Sequence, residues 1–479
     1  MKPGIRLTLF FPFFCLIACG GKKPAQNPGT AIGKSALQDT PVIRDHFPVA
    51  KLVPMVYCRD DASQSYALYI PETKTSKLLP VVYFFDPHGQ GSLPLDKYKS
   101  LADKYQFILV GSNNSKNGND WSFTEKIWRN LFGDTKSRLP IDIHSVYACG
   151  FSGGAKVASY LALNYPEIRG VVAGGAGLPD GIAAADFGFS FTGIAGTGDL
   201  NMTDLVTLNS DFDKTRTRHR IIFFNGKHEW SPVETMDQAF AGLQLDALRE
   251  SGALPVDEGF IKMVASEYKN RVTASLNAGN QIVAEQDCAL AENLLEGLSG
   301  DVAWFQREDA SLLRNPGYQK QFKAQQALFT REAATKEFYQ QQFQQGSPEY
   351  WKKTIAELER GSRTLGPEAA MNQRLLAYLS LAFYSLSNQF IQSNQQAAAV
   401  YFDGLYKIAD PENPEAWYFS AILDARADNS PSTEADLLKA VEKGFSDSTR
   451  LVTQPEFHQL TNPINLKNIT ERFRNNFGK

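Results

Sequence analysis

The sequence predicts an α/β domain, with a mostly parallel sheet covered by helices on both faces, followed by an all-helical region. Three observations predict it. Short apolar runs alternate with helix-like stretches from about residue 50 to 250, the alternation stops near residue 255, and beyond it Gln, Ala, Glu, Lys and Leu dominate. Strands that alternate with helices are joined by crossovers, which favours parallel pairing with both sheet faces covered. A chain of 479 residues is also long enough for more than one core.

Each predicted strand is short, β-branched or aromatic, and bounded by Gly, Pro, Asn or Asp. The runs are Tyr66–Ile70, Val81–Phe85, Phe107–Val110, Val146–Cys149, Val171–Ala173, Phe191–Ala195 and Ile221–Phe224. In the helix after Cys149, Val157, Tyr160, Leu161 and Tyr165 recur at i, i+3, i+4 and i+8, predicting one buried face. In the helical region, breaks fall at Gly346, Gly366-Pro367 and Pro411. Ala397, Tyr401 and Pro411, then Asn413-Pro414-Glu415-Ala416-Trp417-Tyr418 with Ser420-Ala421, resemble about one and a half tetratricopeptide repeats. Such units need further helices to bury a core, and the resemblance implies a surface for a protein partner.

The N-terminus reads differently. Lys2 and Arg6 precede the apolar run Leu7–Ile17, which is too short to span a bilayer and is interrupted by Pro12. Leu16-Ile17-Ala18-Cys19-Gly20 follows and resembles the lipobox of bacterial lipoproteins. That resemblance implies a signal peptide over residues 1–18, a lipid on Cys19 and anchorage in a bacterial cell envelope, most simply at the outer membrane. Residues 19–40 are Gly-, Pro- and Lys-rich and read as a tether spanning roughly 25 Å. The expected organisation is completed by an α/β domain over 41–255 and a helical one over 256–479. The net charge of −3 and the absence of a basic run give no footprint for nucleic acid. No CxxC or HExxH occurs, so neither a metal nor a cofactor is expected. Cys58, Cys149 and Cys288 are three, so they cannot all pair within one chain; Cys149 reads as a buried thiol.

The chemistry centres on Gly150-Phe151-Ser152-Gly153-Gly154, a G-x-S-x-G placed between a predicted strand and a predicted helix. A sharp strand–serine–helix turn exposes the hydroxyl, and glycines relieve the crowding there. A serine needs a base, and with such an elbow the acid and the histidine follow it, each after a later strand. Of the six histidines, His228 alone follows a strand beyond Ser152. Asp199 ends the next-to-last strand and is the expected acid; Asp180, Asp211 and Asp213 are its competitors. Gly153 N–H is one expected oxyanion donor. Asp86-Pro87-His88-Gly89-Gln90-Gly91 resembles the His-Gly loops of esterases and lipases, which implies Gln90 or Gly89 as the second, although it departs from the full HGGG form.

Together, the His88-Gly89 loop, the Ser152 elbow, Asp199 and Gly226-Lys227-His228-Glu229-Trp230 resemble the α/β-hydrolase superfamily. The resemblance is to secreted esterases related to feruloyl esterases and polyhydroxybutyrate depolymerases. It implies cleavage of an acyl, aryl or carbohydrate ester through an acyl-enzyme, with His88, Trp121, Phe151 and Trp230 as candidate pocket residues. A serine peptidase on the same fold and a non-catalytic interaction lipoprotein are the rival readings. Because the pattern is complete before residue 255, residues 41–255 are expected to suffice for catalysis.

Overall fold

The computed structural model describes residues 45–73, 77–251, 257–445, 447–469 and 471. The expected signal segment, Cys19 and the tether lie outside the described residues. Eight strands form one sheet in the order β1-β2-β4-β3-β5-β6-β7-β8. They are β1 (Val53–Tyr57), β2 (Ser65–Tyr69), β3 (Leu79–Phe85), β4 (Ile108–Ser112), β5 (Ile141–Phe151), β6 (Ile168–Gly174), β7 (Ser190–Gly196) and β8 (His219–Phe224). β1 and β2 pair antiparallel; from β4 to β8 every pairing is parallel. The seven predicted strands are all present. β1 is the addition: Pro54 interrupts its apolar run Val53–Tyr57 and three of its residues are exposed, as suits a strand at the sheet edge.

Helices α1 (Ser92–Tyr105), α2 (Trp121–Arg138), α3 (Gly153–Asn164) and α4 (Met202–Phe212) join successive strands, and α5 (Val233–Ser251) follows β8. α2 starts where it does because the Asp120 carboxylate accepts Phe123 N–H at 2.7 Å. The predicted apolar face of α3 is corrected. Val157, Tyr160 and Tyr165 are only half-buried, while Ala155, Ala158, Ser159, Leu161 and Ala162 are buried. Small side chains let this helix lie close to the sheet.

The chain divides into two compact units, with the division between Ala324 and Gln325. The expected boundary at 255 therefore falls inside the unit that holds the sheet. Helices α6 (Glu258–Asn277), α7 (Gln281–Leu295) and α8 (Val302–Leu313) belong to it, and the division itself lies within α9 (Pro316–Gln345). The physical reason is packing: Leu245 of α5 shares a core with Ile261, Val264 and Tyr268 of α6, Leu294 of α7 and Phe305 of α8. The fully buried Arg220 of β8 also pairs with Asp246 of α5 and donates to Asn293 Oδ1 of α7 at 3.0 Å.

The second unit is helical throughout its described secondary structure, with α10 (Pro348–Ser362), α11 (Pro367–Gln392), α12 (Gln396–Ala409), α13 (Pro414–Arg426) and α14 (Ser430–Glu442) among its helices. Breaks coincide with the sequence punctuation: Pro348, Pro367 and Pro414 each stand in a first helical turn, where a missing N–H costs nothing. Trp351, Phe383, Phe402, Tyr418 and Phe419 lie at the heart of its core. Cys58, Cys149 and Cys288 are free and buried, and burial raises each thiol pKa, to about 12 for Cys58 and Cys288. Among the described residues no helix is long and apolar enough to cross a membrane.

Candidate active site

Parallel strands end at one edge of the sheet, and four of those ends carry the polar groups that meet there. Asp86 follows β3, Ser152 follows β5, Asp199 lies just past β7 and His228 just past β8. Ser152 stands at the N-cap of α3, where a serine would ordinarily bond the first free N–H groups of the helix. It does not, because its backbone is at φ +54°, ψ −120° and the side chain makes no cap bond. Ser152 N–H donates to Gly174 O at 2.7 Å, holding this strained turn against β6. The elbow also requires glycines at two close approaches. A β-carbon on Gly150 would lie 2.0 Å from Gly154 O, and one on Gly154 1.8 Å from Phe85 O.

The hydroxyl so released meets the imidazole: Ser152 Oγ and His228 Nε2 are 3.0 Å apart. On the far side His228 Nδ1 is 2.9 Å from Asp199 Oδ2. A carboxylate can only accept, so Nδ1 carries the proton and Nε2 is the free acceptor for Ser152 Oγ–H. Asp199 is 1% exposed, and its other oxygen accepts Asn201 N–H at 2.9 Å. Asn201 in turn donates its side-chain N–H to Gly175 O at 2.7 Å. The acid and histidine loops are tied together, with Thr197 N–H on Phe224 O and Gly198 N–H on Gly226 O, both at 2.8 Å. The His228 side chain remains 27% exposed, open to a substrate from solvent.

Competing aspartates are engaged elsewhere. Asp180 pairs with Lys156 at 2.6 Å, Asp211 with Lys214 at 2.8 Å and Asp213 with His219 at 3.1 Å. The expected pocket residues are more varied. Trp230 is 9% exposed and packs on Phe84, Tyr98 and Phe151, so it is a core side chain rather than a pocket wall. Phe151 is likewise buried, its ring 4.7 Å from the His228 ring. Trp121 is half-buried and stacks on Tyr160 at 4.0 Å, and His88 is exposed.

One residue that sequence reasoning passed over organises much of this edge. Asp86, 2% exposed, accepts Trp230 Nε1–H at 3.0 Å on one oxygen, and His88 N–H at 2.8 Å and Gln90 N–H at 3.3 Å on the other. Gly89 N–H donates to Asp86 O at 3.1 Å. The expected oxyanion donors Gln90 and Gly89 thus both point back into their own loop, which the His-Gly resemblance did not foresee. An acidic residue directly after a central parallel strand was the available signal, masked by its turn-like Asp-Pro context. No cluster able to hold a metal ion occurs among the described residues.

No family model matches the sequence. Two curated fungal proteins do, both named "Probable acetylxylan esterase A". That of Neosartorya fischeri is 22% identical over 34% of this chain and 44% of its own length. That of Aspergillus fumigatus is 22% identical over 36% of this chain and 47% of its own length. The chain therefore spans about half the length of the curated relatives it matches. Among solved structures, an esterase of Pyrobaculum calidifontis is similar at 12% identity with a TM-score of 0.35, over 41% of this chain and 86% of that one. The strand order, the serine elbow after β5 and the acid and histidine after β7 and β8 establish that the sheet-bearing unit has the α/β-hydrolase fold.

Proposed function

We propose that this chain is a serine hydrolase of carboxylic esters that works through an acyl-enzyme, tethered in a bacterial cell envelope by a lipid on Cys19. The observation that carries the reading is the unbroken chain from Ser152 Oγ through His228 to buried Asp199. As Ser152 Oγ attacks the ester carbonyl, His228 Nε2 takes its proton and Asp199 stabilises the resulting imidazolium. Gly153 N–H, at the first turn of α3, donates to the developing oxyanion. Collapse of the tetrahedral intermediate expels the alcohol, protonated by His228, and water activated by the same imidazole then releases the acid. The relatives' names support a short acyl group on a carbohydrate as the substrate, and the helical unit supports recognition of a protein partner. No cofactor enters this mechanism.

A fluorophosphonate probe tests it. The full-length protein should be labelled, and Ser152→Ala should not; an unlabelled wild type would favour the non-catalytic interaction protein. p-Nitrophenyl esters, acetylated xylo-oligosaccharides and aminoacyl anilides then separate esterase from peptidase. Turnover of the anilides alone would overturn the ester assignment. For the anchor, Cys19→Ser should abolish acyl labelling in cells.

A further inference from the structure

In the loop after β3, the N–H groups next to the strand turn inward rather than toward an oxyanion. Pro87 lacks an N–H, and those of His88, Gly89 and Gln90 all donate to Asp86. A tetrahedral oxyanion is stabilised by two donors, and Gly153 N–H is one. A second can reach the same place from another element.

The loop between β4 and α2 does. Asn117 N–H donates to Pro87 O at 2.8 Å, and Lys116 forms an isolated bridge with His88. This docks the Asn117 side chain on the residue that follows the nucleophile. A β-carbon on Gly153 would lie 1.9 Å from Asn117 Oδ1 and 3.5 Å from Asn117 Nδ2, so the carboxamide occupies the space a side chain at 153 would fill. The carboxamide makes no hydrogen bond among the described residues. Its oxygen is the nearer atom, but χ2 of asparagine is a soft, broad torsion, and a half-turn exchanges oxygen for NH2. A glycine in the first turn of a helix forgoes up to about 1 kcal/mol relative to alanine, which is understandable if the room is needed for the amide.

We propose that the Asn117 side-chain amide is the second oxyanion donor, replacing the backbone N–H that Asp86 draws back into its own loop. The proposal rests on the serine-hydrolase reading. Steady-state kinetics with p-nitrophenyl acetate test it. Asn117→Ala should lower kcat by about 10²- to 10³-fold with KM changed less than about threefold. Asn117→Asp, similar in shape but without the donor, should be at least as damaging. Gly153→Ala should displace the amide, so adding Asn117→Ala to it should cost little more. Thermal unfolding should stay near wild type in Asn117→Ala, because the side chain is exposed. A kcat within about threefold of wild type in Asn117→Ala or Asn117→Asp would overturn the assignment, as would a loss confined to KM. Failure of wild type to label with fluorophosphonate or turn over any ester would instead sink the serine-hydrolase reading beneath it.

Discussion

Asp199 and Asp86 sit at the ends of two strands of one sheet, both buried, and do different work. Asp199 holds the imidazole in the tautomer that leaves Nε2 free. Asp199→Asn keeps the shape but can present an N–H to Nδ1, reversing that tautomer. We expect kcat to fall by roughly 10⁴-fold while the unfolding midpoint moves little, read from ester turnover and urea denaturation on the same sample. Asp86 joins the loop after β3 to Trp230, two residues past His228, through three N–H groups. Asp86→Ala leaves a buried indole N–H and two backbone N–H groups without an acceptor. The expected cost is about 2–4 kcal/mol in urea unfolding, together with lost activity. A variant as stable as wild type would show that water replaces the carboxylate. Ser152, Asp199 and His228 were legible because each follows an apolar run in a fixed order. Asp86 and Asn117 were not, since polar residues in a turn carry no periodicity and their roles depend on which loops meet in space.

At the scale of elements, the β5–α3 elbow and the α12–α13 pair illustrate two different constraints. The elbow was legible because its need is steric and local: Gly150 and Gly154 lie where backbones nearly touch. Gly154→Ala would drive a methyl into Phe85 O, a backbone atom that cannot yield without moving β3, so we expect poor recovery of folded protein judged by circular dichroism. The face of α3 was misread in part for the same reason, since a helix this close to a sheet buries its alanines and Leu161 while its tyrosines and Val157 stay at the margin. In α12, Asp403 is 3% exposed; its Oδ2 accepts Ser420 Oγ–H of α13 at 2.6 Å and its Oδ1 has no partner among the described residues. Burial raises its pKa to about 7, with the Ser420 hydrogen bond and Lys407 opposing and Asp436 and Asp424 adding to the rise. The folded state therefore keeps a proton that the unfolded chain releases above about pH 4. Stability falls as pH rises from about 4 to 7 and is level above that. Asp403→Asn should flatten this dependence and stabilise the helical unit by roughly 2–4 kcal/mol at pH 8 relative to wild type. Denaturant unfolding of both proteins at pH 5 and pH 8 measures it; an unchanged slope would show that Asp403 is ionised throughout.

At the scale of the whole molecule, the two compact units were legible and their boundary was not. The sequence points to a boundary near 255 because the strands end before it and helix-like composition follows. What the residue order could not reveal is that the apolar faces of α6, α7 and α8 return to α5. A cut at 255 would uncover Leu245 and strip Arg220 and Arg249 of the Asn293 and Glu296 acceptors that satisfy them. Burying each large apolar side chain contributes about 1.5–3 kcal/mol, so uncovering Leu245 and Leu248 removes a sizeable part of the margin by which domains are stable. The expectation that residues 41–255 suffice therefore gives way to a different one. Residues 41–324 should be soluble and cleave p-nitrophenyl acetate within about tenfold of the full-length protein, because every triad member and its supports lie before 231. Residues 41–255 should aggregate or show no cooperative unfolding, since newly exposed apolar surface remains at the cut and Arg220 and Arg249 are left to share Asp246. Size-exclusion chromatography, a urea melt and ester turnover on both fragments decide it. A soluble, active 41–255 would show that α6 to α8 are an appendage rather than part of the hydrolase unit.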